Sequence, residues 1–155
     1  MNRPLPNAIA DPLNKVPMAT LAFWVIKIMS TTVGEAGADH LAVNAGLGKG
    51  ATSSAMASPL AIAVVAQLRS KTYTPWLYWV TVVLVSVVGT QITDALTDGL
   101  GVSRYLSTAF FAILQAAIFW LWFRSDGTLS ILTIDPRGRE FLYWTAILCT
   151  FALGT

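Results

Sequence analysis

Apolar positions in this chain gather into long runs rather than alternating with polar ones. Four runs, at residues 18–42, 52–68, 74–97 and 103–123, are broken only by isolated polar side chains and are separated by polar connections. A helix rising 1.5 Å per residue needs about 20 mostly apolar residues to cross a hydrocarbon layer of about 30 Å, so each run predicts a full membrane span. A fifth run, FLYWTAILCTFALGT at 141–155, rises only about 22 Å and predicts a short fifth span, cut off early. Residues 1–17 carry Pro4, Pro6 and Pro12. They read as a cytoplasmic N-terminal segment rather than a cleaved signal, because no short apolar core leads to a small-residue cleavage site. The pattern predicts an all-α protein: a polytopic transmembrane helix bundle of four full spans plus a short fifth, with residues 18–155 as a single transmembrane domain.

The polar residues inside the runs keep helical spacing. Lys27, Thr31, Glu35 and Asp39 stand four apart in the first run, and Ser86, Thr90, Asp94 and Asp98 do the same in the third, so each set drifts slowly around one helix face. Three charges at the bilayer centre would cost on the order of 8–10 kcal/mol, and the apolar residues of the first run offset roughly 2–4 kcal/mol. These groups must therefore lie near the interface, be paired or protonated, or face a polar cavity. Read functionally, Lys27, Thr31, Glu35, Asp39, Thr90, Asp94 and Asp98 line a cation or solute path. Carboxylates and hydroxyls are hard oxygen ligands suited to Mg²⁺, Mn²⁺, Na⁺ or a proton relay, with Lys27 competing for Glu35 as a tethered counter-cation. The bland alternative pairs Lys27 with Glu35 and leaves Asp39 and Asp98 to cap helix ends. The sequence names no metal.

The second run is rich in small residues. Ser54, Ala55, Ser58 and Ala61 allow close helix packing, and Pro59 frees the Ala55 carbonyl, either as a hinge or ligand or simply as a tolerated membrane proline. Gln115 is expected to hydrogen-bond between helices. Gly46, Gly48 and Gly50 form a flexible connection and match no phosphate-binding motif, because no strand precedes them.

Composition sharpens the class. The chain is 55% hydrophobic and only 12% charged, with mean hydropathy +0.62, well outside the balance of soluble domains. A net charge of +2 without a basic patch excludes nucleic acid as a partner. The lone Cys149 excludes an internal disulfide, an iron–sulfur cluster or a CxxCH haem attachment. His40, the single histidine, reads as interfacial beside Asp39 rather than as a ligand. No nucleophile, base and oxyanion site assembles, so no enzyme activity and no catalytic residue are expected. No cofactor is predicted, and a bound lipid or pigment stays open. Basic residues report topology: Arg3, Lys15, Arg69, Lys71, Arg124, Arg137 and Arg139 fall on one side of the membrane, against Lys49 and Arg104 on the other. The positive-inside rule then puts the N-terminus in the cytoplasm.

The hydropathy also hides a repeat. Trp24, Trp79 and Trp144 are each followed ten residues later by Gly34, Gly89 and Gly154, and the windows FWVIKIMSTTVGE, YWVTVVLVSVVGT and YWTAILCTFALGT share an aromatic–Trp pair and an apolar run. Asp39 and Asp94 follow five residues past the first two glycines. Every odd span points the same way, so the units are tandem parallel two-helix repeats. The stretches 15–39, 73–98 and 127–155 resemble the bacterial membrane-anchored proteins built from tandem DUF347 repeats. That resemblance covers most of the chain and implies a bundle of four two-helix repeats, of which this chain is similar to the first two and a half. It implies no particular activity. The expected function is a cation or small-solute transporter with a carboxylate-lined path, and the alternative is a non-catalytic accessory or structural subunit of a larger membrane complex. The expected partners are the lipid bilayer and either further copies of the chain or other membrane subunits.

Overall fold

A computed structural model of the chain describes residues 16–17, 20–40, 43, 48–127, 129 and 137–154. The expected cytoplasmic segment with its prolines, Arg3 and Lys15 lies outside the described residues, apart from Val16 and Pro17, and so do Gly46 and Thr155. Among the described residues all regular structure is helical: α1 (Leu21–Asp39), α2 (Gly48–Arg69), α3 (Pro75–Asp94), a π-helical turn (Ala95–Gly99), α4 (Arg104–Asp126) and α5 (Arg137–Gly154). Among the described residues three segments are long and apolar enough to cross a membrane: Ala51–Arg69, Pro75–Gly99 and Arg104–Ser125. The fourth full span expected from the sequence, α1, is diluted by Lys27, Glu35 and Asp39, and the short fifth opens on RGRE.

Local chemistry sets the helix ends. The Thr20 hydroxyl accepts from the Phe23 N–H at 3.3 Å, and the Ser103 hydroxyl accepts from the Leu106 N–H at 3.3 Å, each satisfying a donor that the first turn leaves open. Pro75 starts α3, where its missing N–H removes nothing. Gly127 ends α4 in the left-handed region at φ +66° and donates to the Phe123 carbonyl at 2.8 Å, a conformation that favours glycine.

Helix α3 is the hub, packed on α1, α2 and α5, while α4 packs on α5. The odd helices run parallel, because their starts meet starts and their ends meet ends. Phe23 lies 5.6 Å from Trp79 at 46°, and Tyr78 lies 5.5 Å from Trp144 at 49°. Farther along, a Cβ at Gly34 would meet Ser86, the Val83 carbonyl and Val87, and one at Gly89 would meet Phe151, the Leu148 carbonyl and the Ala152 nitrogen. Val83, Ser86 and Val87 stand four, seven and eight residues past Trp79; Leu148, Phe151 and Ala152 stand four, seven and eight past Trp144. The repeat in the sequence is therefore one helix contact made twice.

Two clusters fill the interior. Leu60, Tyr78, Val82, Val85, Trp122, Tyr143 and Trp144 surround α3, while Phe111, Ile118, Ala146, Cys149 and Ala152 sit between α4 and α5. Two buried hydroxyls bond their own helix: Thr81 donates to the Leu77 carbonyl at 2.7 Å and Ser86 to the Val83 carbonyl at 2.8 Å. On α2 the buried stripe is Thr52, Leu60, Ala63 and Gln67. The small-residue set read as a packing face lies elsewhere: Ser54, Ala55, Ser58 and Ala61 are exposed and Pro59 is half-buried. Small side chains permit close approach but do not choose the face; Leu60 and Ala63 do so by burying more apolar surface against α3.

Candidate functional site

Where α3 would ordinarily stop, it widens. A π-helical turn follows at Ala95–Gly99, and the Leu100 N–H reaches back five residues to the Ala95 carbonyl at 3.1 Å. The α1 end also turns π-helical one residue past Asp39, at His40. Such π-turns break helical register and are frequent at functional sites. Here the turn lays Asp94, Ala95, Leu96, Asp98, Gly99 and Leu100 along one wall of a cavity of about 770 Å³. Asp39 of α1, Ser53 of α2, Thr90, Gln91 and Ile92 of α3, and Phe110 and Phe111 of α4 complete it.

Gln91 gives this cavity its chemistry. It is 7% exposed, and neither its amide oxygen nor its amide nitrogen has a hydrogen-bond partner among the described residues; the Thr90 hydroxyl is likewise buried and unpartnered. A buried amide left unpaired costs about 1–3 kcal/mol per group, so its presence beside open space points to a polar visitor. The Asp94 carboxylate, half-buried at the same wall, has no partner among the described residues either. Behind it lies a smaller recess of about 110 Å³ lined by Thr93, Thr97, Arg104 and Thr108, with Asp94 and Asp98 forming the shared wall. The Thr93 hydroxyl donates to the Ala152 carbonyl at 2.6 Å and ties this wall to α5.

The structure thus brings together four of the path residues expected from the sequence: Asp39, Thr90, Asp94 and Asp98. Three do not line the cavity. Lys27 is half-buried, its ammonium 5.4 Å from the centre of the Trp24 ring and 6.0 Å from that of Phe23. It lies two helical turns, about 12 Å, from Glu35, and no ion pair joins the two among the described residues. Thr31 donates to the Ile28 carbonyl at 2.8 Å, and Glu35 is half-buried one turn before Asp39. His40 is exposed at the end of α1. Among the described residues no three of His, Cys, Asp and Glu come close enough to hold a metal ion. Gln115 is buried on the α4 face that carries Phe111 and Ile118, with both amide atoms unpartnered among the described residues.

Sequence reasoning missed Gln91, Ser53, Phe110 and Phe111. Gln91 had a signal, since an amide between VVGT and ITDAL is rare in an apolar run. The two phenylalanines had none, being two apolar residues among many. At the far end of the bundle, about 24 Å along α3 from Asp94 to Tyr78, the aromatic residues are readable from the sequence as one belt, but the bond between two of them is not. There the Tyr78 and Tyr143 hydroxyls meet at 2.7 Å among Trp79, Trp122 and Trp144, with Glu140 buried at 2% exposure.

The family model described as a repeat of unknown function, DUF347, matches residues 22–73 and again residues 77–128. Each match takes in one odd–even helix pair, α1 with α2 and then α3 with α4. No curated protein and no solved structure matches the chain.

Proposed function

This chain belongs to the DUF347-repeat family, and we propose that it is an integral membrane transporter that takes a small organic cation into the cavity between Asp39, Asp94 and Asp98. The carrying observation is the pairing of those carboxylates with the unpartnered Gln91 amide in a space of about 770 Å³. Sites for small organic molecules are typically 300–1,000 Å³, mostly apolar, with a few convergent polar groups. Phe110 and Phe111 offer ring faces to an ammonium or guanidinium group, and the carboxylates balance its charge in low dielectric. A bare divalent ion would need a tighter oxygen cage.

In this reading all five helices lie in the bilayer. Arg69, Lys71, Arg124 and Arg139 mark the cytoplasmic end, so the cavity opens on the other side. The Tyr78–Tyr143 pair and its tryptophans close the cytoplasmic end, and passage requires that pair to part.

Uptake of radiolabelled tetraethylammonium into proteoliposomes, with rubidium and Mn²⁺ run in parallel, tests the proposal. Saturable tetraethylammonium uptake is expected, falling at least about tenfold, 1.4 kcal/mol, in Asp94→Asn and in Gln91→Leu. Wild-type protein that moves none of the three, or variants that keep the full rate, would refute it. The exposed small-residue face of α2 favours a second reading, an accessory subunit of a larger membrane complex. Stable copurification of other chains in mild detergent would support that reading, and a chain always isolated without them would oppose it.

A further inference from the structure

The cavity holds more charge than one cation balances. Asp39, Asp94 and Asp98 all line it, and among the described residues no lysine, arginine or histidine does. Arg104 stands on the other side of the shared wall, in the small recess, and among the described residues no ion pair joins it to Asp94. A single ammonium would leave two carboxylates to be protonated or carried uncompensated at low dielectric, which is expensive. The carboxylates are also spread out. Among the described residues no three acidic, histidine or cysteine side chains come close enough to share one ion. Asp98 follows Asp94 by one helical turn, about 5 Å along the axis, and Asp39 belongs to α1, which packs on α3 with helix axes of such pairs about 8–10 Å apart. Between the charges the lining is apolar: Ile92, Ala95, Leu96, Leu100 and the rings of Phe110 and Phe111.

Resting on the organic-cation reading above and narrowing it, we propose that the ligand of this cavity is a linear aliphatic di- or triamine, charged at each nitrogen, rather than a compact monovalent cation. Each ammonium then meets its own carboxylate, and the methylenes between them lie along the apolar wall and the phenyl rings. Nitrogens separated by three or four methylenes span the gaps of about 5–10 Å between carboxylates. Primary and secondary ammonium groups also carry hydrogens to donate. The Gln91 amide oxygen and the Thr90 hydroxyl, both buried at this wall and unpartnered among the described residues, are acceptors for them, whereas a quaternary ammonium has no hydrogen to give. A zwitterion such as an amino acid fits poorly, because no basic side chain among the described lining residues meets its carboxylate. One ion pair in a partly open cavity contributes little by itself. Two or three on one short chain reinforce each other, since the first fixes the others at high effective concentration.

Competition against radiolabelled tetraethylammonium in proteoliposomes tests the charge spacing. Putrescine and spermidine should half-inhibit its uptake at concentrations at least about tenfold below that of n-butylamine, which has the same apolar chain as putrescine and one charge fewer. Asp98→Asn removes one of the separated partners and should shrink that margin to about threefold or less. Thermal stabilisation of the detergent-purified, unsubstituted chain by the same three amines reads binding without movement and depends on no variant; spermidine and putrescine should stabilise at concentrations where n-butylamine does not. If n-butylamine competes as well as the other two while tetraethylammonium uptake persists, the polyamine assignment is overturned and the transport reading stands. Equal stabilisation by all three amines would overturn the assignment as well. Selective stabilisation by putrescine and spermidine with no uptake of any compound would support the polyamine site and refute transport.

Discussion

One added methyl group at Gly89 measures how closely α3 and α5 approach. Its Cβ would lie 2.7 Å from the Phe151 Cβ, 3.2 Å from the Leu148 carbonyl oxygen and 3.3 Å from the Ala152 nitrogen. None of these atoms is the loose end of a side chain, so the helices must move apart, and overpacking of this kind costs about 1–3 kcal/mol. Separation also stretches the 2.6 Å bond from Thr93 to the Ala152 carbonyl, worth about 0.6 kcal/mol between membrane helices. Working the other way, alanine regains up to about 1 kcal/mol of helix propensity over glycine. Gly37→Ala gains the same propensity with nothing within 4 Å of the new methyl, so the difference between the two variants isolates the contact. Gly89→Ala should be less stable than Gly37→Ala by about 1.5–3.5 kcal/mol, roughly tenfold to several-hundredfold in the folded-to-unfolded ratio. Reversible unfolding in mixed micelles titrated with dodecyl sulfate, followed by helicity and tryptophan emission, reads that difference. Equal unfolding midpoints would refute the close contact and, with it, the equivalence of the two repeats.

Two further outcomes follow from single contacts. Tyr78→Phe leaves the Tyr143 hydroxyl buried without its 2.7 Å partner, so the same unfolding assay should lose about 1–3 kcal/mol; the Tyr78→Phe/Tyr143→Phe double variant should lose less than the sum of the singles, and strict additivity would count against the bond. Lys27→Met surrenders a contact with Trp24 worth about 0.5–1 kcal/mol and removes a charge that costs about 2.5–3.5 kcal/mol in mid-helix; α1 should insert more favourably by about 1.5–3 kcal/mol in a glycosylation-tagged insertion assay, and unchanged insertion would contradict its membrane placement.

The helices and the repeat were legible because both rest on one-dimensional patterns. Runs of apolar residues mark α2, α3 and α4, and the Trp-to-Gly spacing marks the α1–α3 and α3–α5 contacts, since a parallel pair of helices in fixed register must place equivalent residues at equivalent heights. The cavity was half legible. The five-residue step from Gly34 to Asp39 and from Gly89 to Asp94 is part of that register, and both aspartates line the cavity. Glu35 looked equally suitable by chemistry, but it stands at the position of Thr90, one turn short, and Lys27 at the position of Val82. What the sequence hid is rotation about each helix axis. Ser54, Ala55, Ser58 and Ala61 could have faced any neighbour until the burial of Leu60 and Ala63 fixed the turn of α2, and nothing local distinguishes Phe110 and Phe111 from the apolar residues around them.

The hydroxyls that bond within their own helix bear on how the protein is made. Thr31, Thr32, Thr81, Ser86, Thr108, Thr145 and Thr150 all donate to a carbonyl three or four residues back, so each helix satisfies these groups by itself, before its neighbours are in place. Thr93 behaves differently. It has a provisional acceptor at 3.5 Å in the Gly89 carbonyl of its own helix and a better one at 2.6 Å in Ala152 of α5. Helix α5 follows α3 in the chain, so the Thr93 hydroxyl changes acceptor only after α5 has been made. The wall that carries Asp94 is consequently fixed only once α5 packs against it, and the cavity beside it takes its shape no earlier.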